Sequence, residues 1–131
     1  MSELERVRAF FEGDIYATSA TGIEITEIGE KWAKCTLPLD SRHRNAAGQV
    51  MGGVMFTLAD FTFAVATNRS RDAVTVTTNA NISFLGTVKG DTLIAESRLI
   101  KDGKRSCFYE SEIKDDKGNP VANASIVGTH L

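Results

Sequence analysis

Cysteine and histidine are both scarce in this chain, two of each, and neither pair carries a signature. Cys35 and Cys107 stand far apart with no CxxC spacing, and His43 and His130 complete no zinc pattern, so the residues support neither a metal centre nor a thiol–disulfide reaction. Both cysteines read as small buried apolar residues of a reduced compartment. A surplus of one charge is missing too. The net charge is -2 with both signs scattered along the chain, which gives no broad basic face for a nucleic-acid backbone and no polybasic membrane anchor. No window reaches the length of a membrane span, and the opening MSELERVRAFFEG mixes acids and bases in place of a basic stretch followed by an apolar one. The expectation is a cytoplasmic protein with no nucleic-acid partner and no membrane partner. Its 131 residues suit one domain, 1–131, able to bury roughly two-thirds of the surface that the unfolded chain exposes.

What the chain has instead is one long apolar stretch holding a single acid. Positions 45–68 read NAAGQVMGGVMFTLADFTFAVATN, polar and glycine-rich at first, then almost wholly apolar over 51–66, where Asp60 is the one ionisable side chain. Val54, Leu58, Phe61 and Val65 recur at helical spacing, and Met55, Ala59, Thr62 and Ala66 fill the adjoining rows. That pattern predicts a long helix buried on most sides. An acid halfway along such a helix caps nothing, and leaving its charge buried and unpaired costs on the order of several kcal/mol. Asp60 is therefore a candidate functional group; the plainer account is a carboxylate anchoring a loop.

Ser2 and Glu5 stand at capping-box spacing with Leu4, Val7, Phe10 and Phe11 on one stripe, which predicts a short amphipathic N-terminal helix. Residues 18–22 read as a plain connection, and 23–28 and 32–39 as a hairpin turning at Gly29-Glu30. After a polar loop over 40–50 and the helix, strands are expected over 74–84, 92–101, 105–114 and 121–131. In the first of these, Val74, Val76, Ala80, Ile82 and Phe84 share the parity expected to face the core, and Thr75, Thr77, Asn79, Asn81 and Ser83 the polar one. The expected architecture is α+β: an antiparallel sheet of about six strands wrapped around one long central helix, with a short N-terminal helix. Such a sheet leaves part of the helix bare, so a second copy of the chain is expected against it, as a homodimer or a dimer of dimers.

The ordered set His43-x-Asn45-x-x-Gly48-x-x-Met51-Gly52-Gly53, followed by Leu58-Ala59-Asp60, resembles hotdog-fold thioesterases of the phenylacetate-degradation (PaaI-like) type. Thr77, Asn81-Ile82-x-Phe84-Leu85 and Gly90-Asp91 match the strand that follows the helix in that family. The resemblance implies the hotdog fold and hydrolysis of acyl-CoA thioesters, with aromatic or medium-chain acyl groups, coenzyme A as part of the substrate and no other cofactor or metal. It also implies roles. The Gly52 N–H polarises the thioester carbonyl, Asp60 serves as general base or nucleophile, and Asn45 orients water or substrate, with Met51, Gly53 and Thr77 at the substrate. The physical chemistry of a helix start agrees, since its unpaired N–H donors suit an oxygen gaining negative charge. One position departs from the family pattern, which has histidine where this chain has Met51. A thioether donates no hydrogen bond, so lowered activity or a more apolar acyl pocket is expected. Asn45 also suits a turn, and His43 reads as a loop support.

Gly52 and Asp60 are eight residues apart, hence about 12 Å along one helix axis, too far to act on one carbonyl carbon. Two copies of the helix running antiparallel, with the axis near Phe56, would bring Gly52 of one to Asp60 of the other. Lys89, Lys101, Lys104, Arg105, Arg69 and Arg71 are candidates for the phosphates of coenzyme A, or solvated turn charges. Phe61, Phe63, Met55 and Phe84 are candidate pocket walls, or core. Two other readings stay open: a module that binds acyl-CoA without turnover, and a hydratase or dehydratase of the same fold using a His–acid pair, which the positions of His43 and His130 fit poorly.

Overall fold

Ser2 Oγ accepts from the Glu5 N–H at 3.1 Å and Glu5 Oε1 accepts from the Ser2 N–H at 3.4 Å, closing the expected capping box on helix α1, Glu3–Phe11. The computed structural model describes residues 1–131. Helix α1 buries Val7 and Phe11, and Phe11 packs edge-to-face on Phe61 with ring centres 5.4 Å apart. The segment after it corrects the expectation of a plain connection: Tyr16–Thr21 is a turn of π-helix, ended by Gly22 at φ 93°. The Arg42 side chain donates to the Ser19 and Ala20 carbonyls at 3.3 and 3.0 Å. A Cβ on Gly22 would stand 2.7 Å from that guanidinium. The partners that hold this turn lie far along the chain, which is why its small polar composition did not disclose it.

Strands β1 (Glu24–Gly29), β2 (Trp32–Pro38), β3 (Thr75–Phe84), β4 (Thr92–Asp102), β5 (Ser106–Asp115) and β6 (Pro120–His130) form one antiparallel sheet in the order β1-β2-β4-β5-β6-β3. Helix α2, Gly52–Thr67, packs across it and touches every strand. The helix can lie close because one cross-strand row beneath it, Ala33–Ser97–Ser111–Ala124, is built of small buried side chains. Ser111 Oγ donates across that contact to the Ala59 carbonyl at 3.2 Å. The next row, Cys35–Ala95–Ile113–Ala122, is apolar and equally buried. Both cysteines are free and buried, as expected. Burial pushes the Cys35 thiol up to about 12, with the Thr62 hydroxyl pulling weakly the other way, so it is inert as a nucleophile.

Strand β3 departs from simple alternation. Thr77 pairs with Gly128 but Asn79 pairs with Val127, so Thr78 is an extra residue and the strand bulges there. Thr75 and Thr77 therefore face the helix together with Ala80 and Ile82, while Val76 turns outward and is 38% exposed. The expected parity holds after the bulge and reverses before it.

The sheet leaves one side of the helix bare, as its six strands imply. Met55, Leu58, Ala59, Phe63 and Val65 are buried against the sheet. On the opposite side Gly53 and Phe56 are exposed, and Thr57, Asp60, Ala64 and Thr67 are half-buried. These positions follow helical spacing, so one continuous stripe of α2 is open in a single chain.

Candidate active site

Asp60 stands midway along the open stripe, half-buried on the side of the helix that the sheet leaves bare. Thr77 Oγ1 donates to its Oδ1 at 2.7 Å, and no other protein group bonds to the carboxylate. The bulge at Thr78 makes this contact possible, because without it Thr77 would point out of the sheet. The other carboxylate oxygen remains free. Asp60 thus anchors no loop: its one partner sits on a strand, and its charge is met by a neutral donor.

The start of α2 gathers a second set of groups. Met51 is its N-cap residue, makes no side-chain cap and is 55% exposed. The Met51 N–H donates to the His43 carbonyl at 2.9 Å, whereas the Gly52 and Gly53 N–H groups find no acceptor in the protein. Uncapped donors of this kind carry the positive end of the helix dipole. A Cβ on Gly52 would lie 3.0 Å from Phe84 Cζ, so the missing side chain at this position makes room for the Phe84 ring. Gly53 has nothing within 4 Å of the equivalent point.

The loop before the helix is held by its own side chains. His43 is buried; its Nε2 lies 2.6 Å from the Thr21 carbonyl and its Nδ1 accepts from the Asp40 N–H at 3.0 Å. The carbonyl can only accept, so the ring is the neutral Nε2–H tautomer and supports the loop, as expected. Asn45 Oδ1 accepts from the N–H groups of Ala47 and Gln49 at 2.9 and 3.1 Å, an Asx-type turn. Its amide nitrogen is uncommitted.

Within one chain the candidate residues fall into two groups. Asp60 and Thr77 meet at mid-helix; Met51, Gly52, Gly53 and Asn45 cluster around the helix start. About 12 Å of helix separates Gly52 from Asp60. Of the aromatic candidates, Phe63 and Met55 are core, Phe61 is buried beside Asp60, and Phe84 is 53% exposed over Gly52. Arg69 drops out as a phosphate ligand: it donates to the Val65 carbonyl at 3.0 Å and the Gly29 carbonyl at 2.7 Å, pinning the helix end to the first hairpin.

Sequence reasoning missed the wall facing Asp60. A groove of about 300 Å³ runs between α2 and the turn after α1, lined by Asp14, Ile15, Tyr16 and Ala17 on one side and Thr57, Asp60, Phe61 and Ala64 on the other. Ile15 and Tyr16 are 69% and 71% exposed, an unusual cost for two large apolar residues in a row. That adjacency was the available signal.

A further titratable cluster closes one end of the sheet. His130 Nε2 lies 2.8 Å from Asp102 Oδ1 and its Nδ1 2.8 Å from Thr75 Oγ1, while Lys31 Nζ pairs with Asp102 Oδ2 at 3.0 Å. His130 and Lys31 hold the Asp102 carboxyl below the usual carboxylate range. Cys107 lies alongside, buried, with its thiol pushed up by burial.

Comparison with known proteins decides the family. Residues 47–122 match the thioesterase superfamily. The chain belongs to that superfamily. The acyl-coenzyme A thioesterase PaaI of Escherichia coli is 33% identical over 119 residues, covering 90% of this chain and 84% of PaaI. The solved structure of E. coli PaaI superposes with a TM-score of 0.85 over 99% of this chain and 96% of that one, at 26% identity. A hypothetical thioesterase protein of Streptococcus pneumoniae TIGR4 solved with coenzyme A shares the fold, with a TM-score of 0.82 and 20% identity over 92% and 96% of the two chains. The sheet-wrapped helix described above is thus the hotdog fold, and the reaction class of this PaaI-like thioesterase is thioester hydrolysis.

Proposed function

We propose that the protein hydrolyses acyl-CoA thioesters at a site shared by two copies of the chain. One copy supplies Asp60, held by Thr77; the other supplies the unpaired Gly52 N–H. The observation that carries this reading is the pairing of an Asp60 carboxylate with one free oxygen, on an exposed stripe, and an uncapped helix start that the same helix holds about 12 Å away. A thioester carbonyl needs both at once. A homodimer with antiparallel α2 helices supplies them and covers Phe56 near its axis, and a dimer of dimers is compatible with the same contact.

In this arrangement the Gly52 N–H stabilises the carbonyl oxygen as it gains negative charge. Asp60 either takes a proton from the attacking water and the C–S bond breaks, or it attacks the carbonyl carbon itself and displaces the thiolate, leaving a mixed anhydride that water then hydrolyses; in both routes the water supplies the hydroxyl of the released acid and the proton with which coenzyme A leaves as its thiol. Thr77 positions the carboxylate. Asn45, with Oδ1 spent on its turn, offers only its amide N–H to water or substrate. Met51 gives the helix start an apolar rim where the family pattern has histidine, and Gly53 leaves open space beside it. Two free buried thiols suit the reducing cytoplasm. PaaI and the coenzyme A complex of the pneumococcal thioesterase support CoA as the thiol carrier.

The Met51 departure favours one second reading, binding of acyl-CoA without turnover. Thiol release from a panel of acyl-CoAs separates the two. The native protein is expected to turn over at least one member, and Asp60→Asn to lose about a hundredfold or more in kcat. Equal rates for the two proteins would remove Asp60 from the mechanism; tight binding with no thiol release would establish the second reading.

A further inference from the structure

The groove between α2 and the turn after α1 has Asp60 in its wall, and its lining has a particular chemistry. Ile15, Tyr16, Ala17, Phe61 and Ala64 make it mostly apolar, and its carboxylates are Asp14 and Asp60. It holds no cation. A phosphate-bearing nucleotide cannot settle between two negative charges, so the part of a thioester that enters here is the acyl part. At about 300 Å³ the space sits at the small end of small-molecule sites, enough for one ring or a chain of moderate length.

The far wall is built to stay in place. Phe11 seats α1 on Phe61, and the turn that follows is tied to the loop before α2 by Arg42, through the Ser19 and Ala20 carbonyls, and by His43, through the Thr21 carbonyl. Ile15 and Tyr16 are thus presented toward the α2 stripe by a braced segment, and their exposure has no account in the packing of one chain. Asp14 uses its backbone carbonyl to receive the Thr18 N–H and hydroxyl, at 2.9 and 3.0 Å, while its carboxylate makes no hydrogen bond. The residue is exposed, and partial desolvation of its carboxyl raises its pKa above the ordinary value.

We infer that this groove is the acyl subsite and that Asp14 and Tyr16 determine specificity in it: Tyr16 lies along a ring or chain, and Asp14 repels acyl groups that carry a terminal carboxylate. The inference rests on the hydrolysis proposed above. It makes the protein selective for neutral acyl groups over acidic ones of the same length.

Steady-state kinetics on phenylacetyl-CoA, hexanoyl-CoA and glutaryl-CoA test it with native protein, Asp14→Asn and Tyr16→Ala, alongside thermal melting to confirm that each variant folds. The native ratio of kcat/KM for hexanoyl-CoA over glutaryl-CoA is expected to be large. Asp14→Asn should shrink it about tenfold by raising the glutaryl value, the change made by removing one like charge at close range. Tyr16→Ala should lower kcat/KM for phenylacetyl-CoA about tenfold, chiefly through KM, as a lost apolar contact does. If the native enzyme turns over thioesters and neither variant changes these ratios, the groove is not the acyl subsite and the inference is overturned. If the native protein releases no thiol from any substrate, the hydrolysis reading itself fails, and this inference falls with it.

Discussion

The Thr77 hydroxyl spans the gap between β3 and α2 to hold the Asp60 carboxylate at 2.7 Å. It is the one hydrogen bond that the carboxylate receives from the protein, so it sets which carboxylate oxygen is free and where that oxygen points. Thr77→Val keeps the shape and removes the donor. We expect kcat to fall about tenfold, equivalent to about 1.4 kcal/mol of transition-state stabilisation, with an unchanged melting temperature, and Thr77→Ser to restore the rate. A normal kcat in the valine variant would mean that the carboxylate needs no positioning.

Two small sheet residues, one on β4 and one on β6, should respond to alanine with opposite signs. Ser97 Oγ is buried in the small row beneath α2 and has no hydrogen-bond partner. Ser97→Ala should stabilise the fold by about 1 kcal/mol, the cost of one unsatisfied buried hydroxyl. Gly128 is different: a Cβ there would stand 2.7 Å from Phe63 Cζ, 2.9 Å from Cys107 Sγ and 3.0 Å from Thr75 Cγ2. Gly128→Ala should cost about 1–3 kcal/mol through overpacking. Urea unfolding of both variants reads the two changes, and a destabilised Ser97→Ala would show that the hydroxyl has a partner in solution.

Acid sensitivity should trace to Asp115. Burial disfavours its charge, but the N–H groups of Lys89, Asn119 and Lys117 and the Asn119 side-chain amide outweigh that and hold its carboxyl down at about 2. A depressed folded-state pKa contributes stability that is complete above the unfolded value and lost as pH falls through the folded one. Asp115→Asn should therefore melt below the native protein at pH 7, with the gap narrowing as pH drops from about 4 toward 2. A gap that stays constant over that window would assign the effect to the turn geometry alone.

Much of this was legible in the chain itself. The α1 capping box, the first hairpin, α2 and the four later strands follow from periodicity and turn residues, because each is a local signal. The motif from His43 to Asp60 led to the family through residue types at fixed spacing. What escaped depends on contacts between distant segments. Thr77 reads as surface-facing until the extra residue at Thr78 is paired against Val127. The turn over 16–21 reads as a connection until Arg42 and His43 reach its carbonyls. Asp60 reads as buried because an all-apolar helix looks alike on every side, and only the sheet's position shows which stripe is left open.

The bulge in β3 has a consequence for how such a site can be lost. Thr77 meets Asp60 because the strand takes up its one extra residue over that interval as a bulge. Excising Thr78 would restore plain alternation with Thr77 still opposite Gly128, so the hydroxyl would keep its face; it is when the extra residue is present that its accommodation as a bulge decides the outcome. The connection between acid and donor is thus stored in pairing register as much as in residue identity: were Thr78 to take the place opposite Gly128, Thr77 would turn to the outer face with none of the letters that a motif records changed.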